Sequence, residues 1–534
     1  KLLHHLEKLR PEFLRPFFPK WWWWRRCRVN VLIVCDGGLN FGTGDFGLSE
    51  FLTAFNQLEA TTLVDYRLTL AHRSSPNMIQ SPNPVVVNHL SSFKFTDVNL
   101  DGFDQIWLFG ILPAGTSMPL EIQEKNALEA YMNGGGGLFA TGDHGVLGND
   151  MCGDIVRVRD MRYWSSPPDT SGNTDSMSGR FRNDTNRPAA GDATSVWFDN
   201  QSDEIPQTIG VRTFGGGLPH PLLSISPRLR ASGMIDVMPD HPHEGECKPE
   251  TSFTVNGVTI PTQNIATSFV LGGSTTRGGG VSSKQLTVPH SFPSIAVWDG
   301  RPANVGRIVV DSTWHHFVNI NLNGVGSTID RPGLQPGLQP ADFIAIRQYF
   351  MNIATWMTRR KFLLCWRPWV LFDLFRNSQI IEANLDRPNL SKNEISLAEL
   401  GNIGGLAEEI LASKFNPAFA RTFFLDLIED YNQELAEMLN VWKPEHVGKS
   451  KKTRAKDEYY QNWINLDLMF HTAIGAGFVA LRDDNLISSE ETDEKALTNL
   501  AEVFIKGMDY GFARSGENFR QSLDAFNSLF RKRR

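Results

Sequence analysis

Three short, almost wholly apolar stretches constrain this chain more than any other feature. They are RVNVLIVCDGG at Arg28–Gly38, FDQIWLFGI at Phe103–Ile111 and LFAT at Leu138–Thr141. A strand with one wet face alternates apolar and polar residues, whereas a strand apolar throughout has to be covered on both faces. The intervening segments supply the covers. GLSEFLTAFNQL places Leu48, Phe51, Leu52 and Phe55 at helical spacing, and LEIQEKNALEAYMN reads as an amphipathic helix ending in glycines. Buried strands alternating with helices predict an α/β fold with a doubly wound, mostly parallel sheet. Gly134–Gly137 lies between a helix end and a strand. Phosphate loops precede a helix N-terminus, so this run is read as a helix cap and tight turn.

With 534 residues the chain exceeds what one core supports. Residues 1–27 read as an N-terminal arm. Its WWWWRR run at Trp21–Arg26 is assigned to packing on the body or a partner subunit rather than to a membrane surface. Residues 28–330 form the α/β domain, and residues 151–290, rich in Asp, Ser, Gly, Pro and Asn, are a loop-rich insertion over one edge of the sheet. Within that domain FPSIAVWDG and GRIVVDSTWHHF read as two late strands joined by a turn at Asp299–Gly306. RPGLQPGLQP at 331–340 is a linker, and beyond it the period changes. Phe343, Ile346, Phe350, Ile353 and Met357 recur every three or four residues, as do Phe424, Ile428, Tyr431, Leu435 and Met438. Residues 341–534 are therefore expected to be an all-helical domain, the element that would bind a protein partner or a second copy.

A net charge of −7 opposes general nucleic-acid binding. Five scattered cysteines without a CxxC pair argue against a disulfide framework and for a reducing cytoplasm. KLLHHLEKLRPEFLRPFFPK lacks the apolar core of a secretory signal. No apolar run reaches the ~18 residues of a membrane span. The closest, KFLLCWRPWVLFDLF, is interrupted by Arg367 and Pro368.

Chemistry gathers where strands end. LFATGDHG closes on Asp143 and His144, the first strand on Asp36 and the loop DGGLNFGTGDFG, and GRIVV on Asp311, Trp314, His315 and His316. In open α/β sheets ligands bind beyond the carboxyl ends of the strands. His144 and Asp143, with His315 and His316, are thus the candidate catalytic residues. If the last strand continued through them, only one of His315 and His316 would face the crevice, with Trp314 on the other one's side. MPDHPHEGEC at Met238–Cys247 is the strongest metal-like signal. His241 and His243 are two apart and share a side in an extended segment, and Glu244 and Glu246 add oxygens. The expected occupant is one divalent ion, zinc, manganese or iron. Glu50 reads as a solvated helix residue.

The order of these elements resembles the class I glutamine-amidotransferase-like superfamily, and within it the trehalose-utilisation (ThuA-like) branch. The resemblance spans about Arg28–Leu322 and implies a flavodoxin-like sheet with its site at the turn after LFAT. Members that hydrolyse glutamine carry a nucleophilic cysteine in that turn. Here the turn reads GDHG, and Cys152 lies too far downstream, which argues against thiolate chemistry. A caspase-like arrangement shares the strand ending in His–Gly, but no cysteine stands at the end of the next strand. Two functions follow as expectations. One is a hydrolase or related acid–base enzyme acting on a small polar substrate, sugar-like by family analogy alone. The other is a non-catalytic ligand-binding or scaffold protein whose helical domain mediates assembly.

Overall fold

The computed structural model describes residues 27–59, 64–74, 81, 83, 85–143, 146–165, 207–239, 245–270, 290–323, 340–385, 394–431, 433–442, 466–484 and 494–531. The arm with Trp21–Trp24 and the GLQP linker up to residue 339 lie outside them.

Nine strands form one sheet. They are β1 (Cys27–Cys35), β2 (Val64–His72), β3 (Val86–Leu90), β4 (Gln105–Phe109), β5 (Gly137–Thr141), β6 (Gly210–Val211), β7 (Gln263–Val270), β8 (His290–Trp298) and β9 (Ile308–Asp311). Their order is β3-β2-β1-β4-β5-β9-β8-β7-β6. The first six in that order are parallel, and β8, β7 and β6 add antiparallel pairs at one edge. With the edge strand β3 set aside, the order 2-1-4-5-9 is the flavodoxin-type pattern, in which the chain reverses direction beside β1. The fold is the expected α/β class. The two late strands pair antiparallel, with Trp298 opposite Ile308.

Alternate residues of each strand feed two cores. Val31 and Ile33 of β1 join the core that includes α1 (Ser49–Glu59), whereas Leu32 and Val34 join the core that includes α2 (Ile122–Asn133). The glycine run ends α2 as a cap: Gly134 donates to the Ala130 carbonyl at 2.8 Å, and Gly135 has φ +87°.

After residue 340 every described element is helical. The first, α3 (Pro340–Met357), packs on the sheet: Ala345, Ile346, Phe350 and Ile353 share the core of β1 and α1. Gln105 Nε2 of β4 donates to Thr358 Oγ1 at 2.7 Å. The helical half thus shares its core with the sheet, through α4 (Arg360–Phe375), α5 (Leu397–Lys414), α6 (Pro417–Tyr431), α7 (Leu466–Asp483) and α8 (Glu494–Arg531). Small residues let α5 and α7 touch backbone to backbone. A Cβ on Gly404 would stand 1.9 Å from the His471 carbonyl, and one on Gly475 1.9 Å from that of Leu400. No described helix is long and apolar enough to cross a membrane.

Cys27 is disulfide-bonded, which the scattered spacing gave no reason to expect, while Cys35, Cys152 and Cys247 are free and buried.

Candidate functional site

The turns after β5 and β9 meet because those strands are parallel neighbours in register, Thr141 beside Asp311. Trp314 N–H donates to the Gly142 carbonyl at 2.9 Å and ties the two turns together. Past Asp311 the strand stops. Trp314–His316 form a 3-10 turn, with the Thr313 hydroxyl accepting from His315 N–H at 3.1 Å. The condition for splitting the two histidines between faces is therefore not met. Trp314 instead stacks on its neighbour's ring, with centroids 3.8 Å apart.

His315 and Asp143 come together. Asp143 Oδ2 lies 3.4 Å from His315 Nε2, and Thr313 Oγ1 donates to Asp143 Oδ1 at 3.2 Å. Asn321 Oδ1 lies 3.0 Å from His315 Nδ1 and accepts its proton. Nε2 is then the basic nitrogen, facing a carboxylate oxygen. Both side chains are buried.

His316 belongs to a second, buried cluster. Its Nδ1 lies 2.9 Å from Asp311 Oδ1, and Tyr349 of α3 donates to Asp311 Oδ2 at 2.7 Å. Burial and the neighbouring Asp311 hold the Tyr349 phenol well above its ordinary value, so it is a permanent donor. This cluster fixes the strand end behind the Asp143–His315 pair.

Arg162 joins the turns. It is fully buried, and its Nη2 donates to the Asp143 carbonyl at 2.5 Å and to the Ser312 carbonyl at 2.6 Å. Its Nη1 reaches the Tyr163 carbonyl at 2.8 Å, and the guanidinium covers Trp164 at 4.6 Å. The tail of the HPHEGE loop packs on it: a Cβ on Gly245 would fall 2.0 Å from Arg162 Nη2. Tyr163 N–H donates to the carbonyl of Glu246, itself buried, at 3.0 Å. Three motifs distant in sequence thus converge on one guanidinium.

The loop after β1 closes the other side. Asn319 Nδ2 donates to the Gly42 and Gly44 carbonyls at 3.0 and 2.8 Å, and its Oδ1 accepts from Glu50 N–H at 3.0 Å, capping α1. Phe46 on this loop stands 5.8 Å from the Trp314 ring. Asp36 is an anchor rather than a reactive group, because it accepts from the N–H groups of Gly38, Ile111 and Leu112. Burial raises its pKa from the ordinary carboxylate value against those bonds. Glu50 pairs with Arg347 at 3.0 Å.

His144, His241, His243 and Glu244 lie outside the described residues. Among the described residues no three His, Cys, Asp or Glu side chains form a metal-holding group. Asp143 and His315 supply one oxygen and one nitrogen donor, the mixed set that suits zinc, manganese or iron. Cys152 is fully buried in the short helix Asn149–Cys152, and desolvation pushes its thiol up, away from the thiolate a nucleophile needs.

Arg162, Asn321, Thr313 and Tyr349 were missed from the sequence. Arg162 sits among polar loops, and Tyr349 lies on the far side of the linker. Only Thr313, two residues past Asp311, stood within a motif already singled out. No family model and no curated protein matches this chain.

Proposed function

We propose that the protein is an acid–base enzyme, hydrolytic in type, acting on a small polar substrate at the carboxyl edge of the sheet. The observation that carries this reading is the convergence of Asp143 Oδ2 and His315 Nε2 at 3.4 Å. Asn321 fixes the His315 ring, so its Nε2 is poised to take a proton, and Asp143 is placed to stabilise the imidazolium or return the proton. Thr313 and Arg162 hold Asp143 through its carboxylate and its carbonyl. If a divalent ion is bound there, Asp143 and His315 are the described side chains that would hold it, and it would supply Lewis-acid polarisation of a substrate oxygen. The ThuA-like resemblance supports the location of the site and leaves the substrate open. The disulfide at Cys27 weighs against a cytoplasmic location, since such bonds persist in oxidising compartments.

The test is a hydrolysis screen with chromogenic esters, amides, phosphates and glycosides on wild type, Asp143→Asn and His315→Gln. Wild type should turn over at least one class, and each variant should lose about 10²- to 10⁴-fold in kcat while keeping its circular dichroism. Wild-type turnover that survives in both folded variants, or no turnover at all, refutes the enzyme. The scaffold reading, favoured by the burial of both side chains, then stands.

A further inference from the structure

A cavity of about 170 Å³ opens at the opposite edge of the sheet, where β8 ends and β9 begins. It lies between the turn Asp299–Arg307, the hairpin strand Val258–Pro261, α6 and Trp442. We propose that it binds a small uncharged single-ring molecule bearing a hydrogen-bond acceptor.

Size gives the single ring, since an engineered apolar cavity of about 150 Å³ accepts benzene. The walls suit a flat body: Trp356 and Trp442 face it together with Ile260, Pro261 and Leu425. Its charges are already paired, Glu429 with Arg360 beyond the wall at 3.5 Å. Arg307 forks onto Asp299 at 3.0 and 2.9 Å, and Arg301 Nη1 reaches both oxygens of Asp426 at 3.1 Å. A charged ligand would lose its hydration and find no partner that is not already bonded.

The acceptor requirement comes from His220. This residue is 3% exposed and lines the cavity. Its Nδ1 accepts from Leu222 N–H at 3.3 Å, so the ring proton is on Nε2. Burial keeps the ring neutral, and Nε2–H has no acceptor among the described residues. Thr422 Oγ1, also on the wall, is buried and unbonded. One ring N–H therefore lines a cavity walled by tryptophans and paired charges, with an unbonded hydroxyl set just behind its surface, which fits a carbonyl carried on a ring.

Benzamide, benzoate and benzamidinium are nearly isosteric and separate charge from shape. Calorimetric titration of the full chain should give saturable benzamide binding, with both ions at least roughly tenfold weaker. His220→Phe keeps a ring and removes the donor, and should weaken benzamide about tenfold. Ala436→Phe places a side chain in the slot and should abolish binding, with the thermal transition showing that the variant folds. The proposal is overturned if benzamide does not saturate at millimolar concentration, or if an ion binds as tightly. It is equally overturned if a folded His220→Phe or Ala436→Phe protein binds benzamide as wild type does.

Discussion

The phenol of Tyr349, on the first helix beyond the linker, donates to Asp311 Oδ2 at 2.7 Å and so fixes the strand end that carries both candidate histidines. A helix of the C-terminal half is thereby part of the site's foundation. Tyr349→Phe leaves a buried carboxylate oxygen short of one donor, and should cost about 1–3 kcal/mol in urea unfolding. In wild type, ultraviolet titration should find this tyrosine un-ionised well past pH 10, because burial and Asp311 both oppose the phenolate. A Phe variant as stable as wild type would contradict the role given to that bond.

The two halves should remain together after the connection is cut. Arg301–Asp426, Gln105–Thr358 and Tyr349–Asp311 all cross between them. The apolar core is continuous from β1 through α3 to α8. With a protease site inserted between residues 331 and 339, the nicked chain should elute from a sizing column as one species and separate only in denaturant. Two native peaks would show that the crossing contacts are weak.

The sheet was legible because a doubly covered strand leaves an unambiguous apolar run. That the turns carrying Asp143 and His315 meet was legible as strand-end topology, two parallel neighbours opening on one edge; that Asp143 pairs with His315 was not, since His144 stands next to it in sequence. What holds them was not legible either. Arg162 is a buried cation that donates to the carbonyls of Tyr163, Asp143 and Ser312, and carbonyls carry no sequence signature. Nor was the partner of Asp311 and His316 legible. Tyr349 joins them in a buried cluster, and a residue beyond the linker cannot be placed by local periodicity.

Cysteine chemistry should follow burial. Cys35, Cys152 and Cys247 are free and buried, and burial pushes each thiol up. Native protein should react slowly with a disulfide reagent. Unfolded without reductant, the chain should release three thiols, since Cys27 is disulfide-bonded. Cys152→Ser should leave any turnover largely intact. Five reactive thiols in the unreduced, unfolded chain would exclude the disulfide.

His220 should make stability depend on pH. Burial and the nearby Arg307 lower its pKa to about 3 from 6.5. The unfolded chain therefore binds a proton first as pH falls, and the folded form is penalised. Its contribution is fully present above pH ~6.5 and lost progressively towards pH ~3, amounting to about 3 kcal/mol by about pH 4. His220→Gln should flatten the acid limb of the stability curve by that order. A variant with the slope of wild type would mean that His220 protonates in the folded state.

Asn319 allows a sharper test, because its two ends do opposite work. Oδ1 accepts from Glu50 N–H in the first turn of α1, where a carboxylate would gain about 0.3–1 kcal/mol from the helix dipole. Nδ2 donates to the carbonyls of Gly42 and Gly44. Asn319→Asp keeps the acceptor and sets a charged oxygen against two carbonyl oxygens in a site that is 2% exposed. Asp and Ala both lose the two Nδ2 bonds, so the comparison turns on a buried carboxylate facing two carbonyl oxygens, a desolvation and repulsion cost that outweighs the retained cap bond and the dipole gain. Asn319→Asp should thus be less stable than Asn319→Ala, contrary to what capping preference alone predicts. Hydrogen exchange of residues 40–47 should accelerate in both variants, more in the Asp protein. If Asp is the more stable, the cap dominates, and the loop that brings Phe46 over Trp314 is held by something other than Asn319.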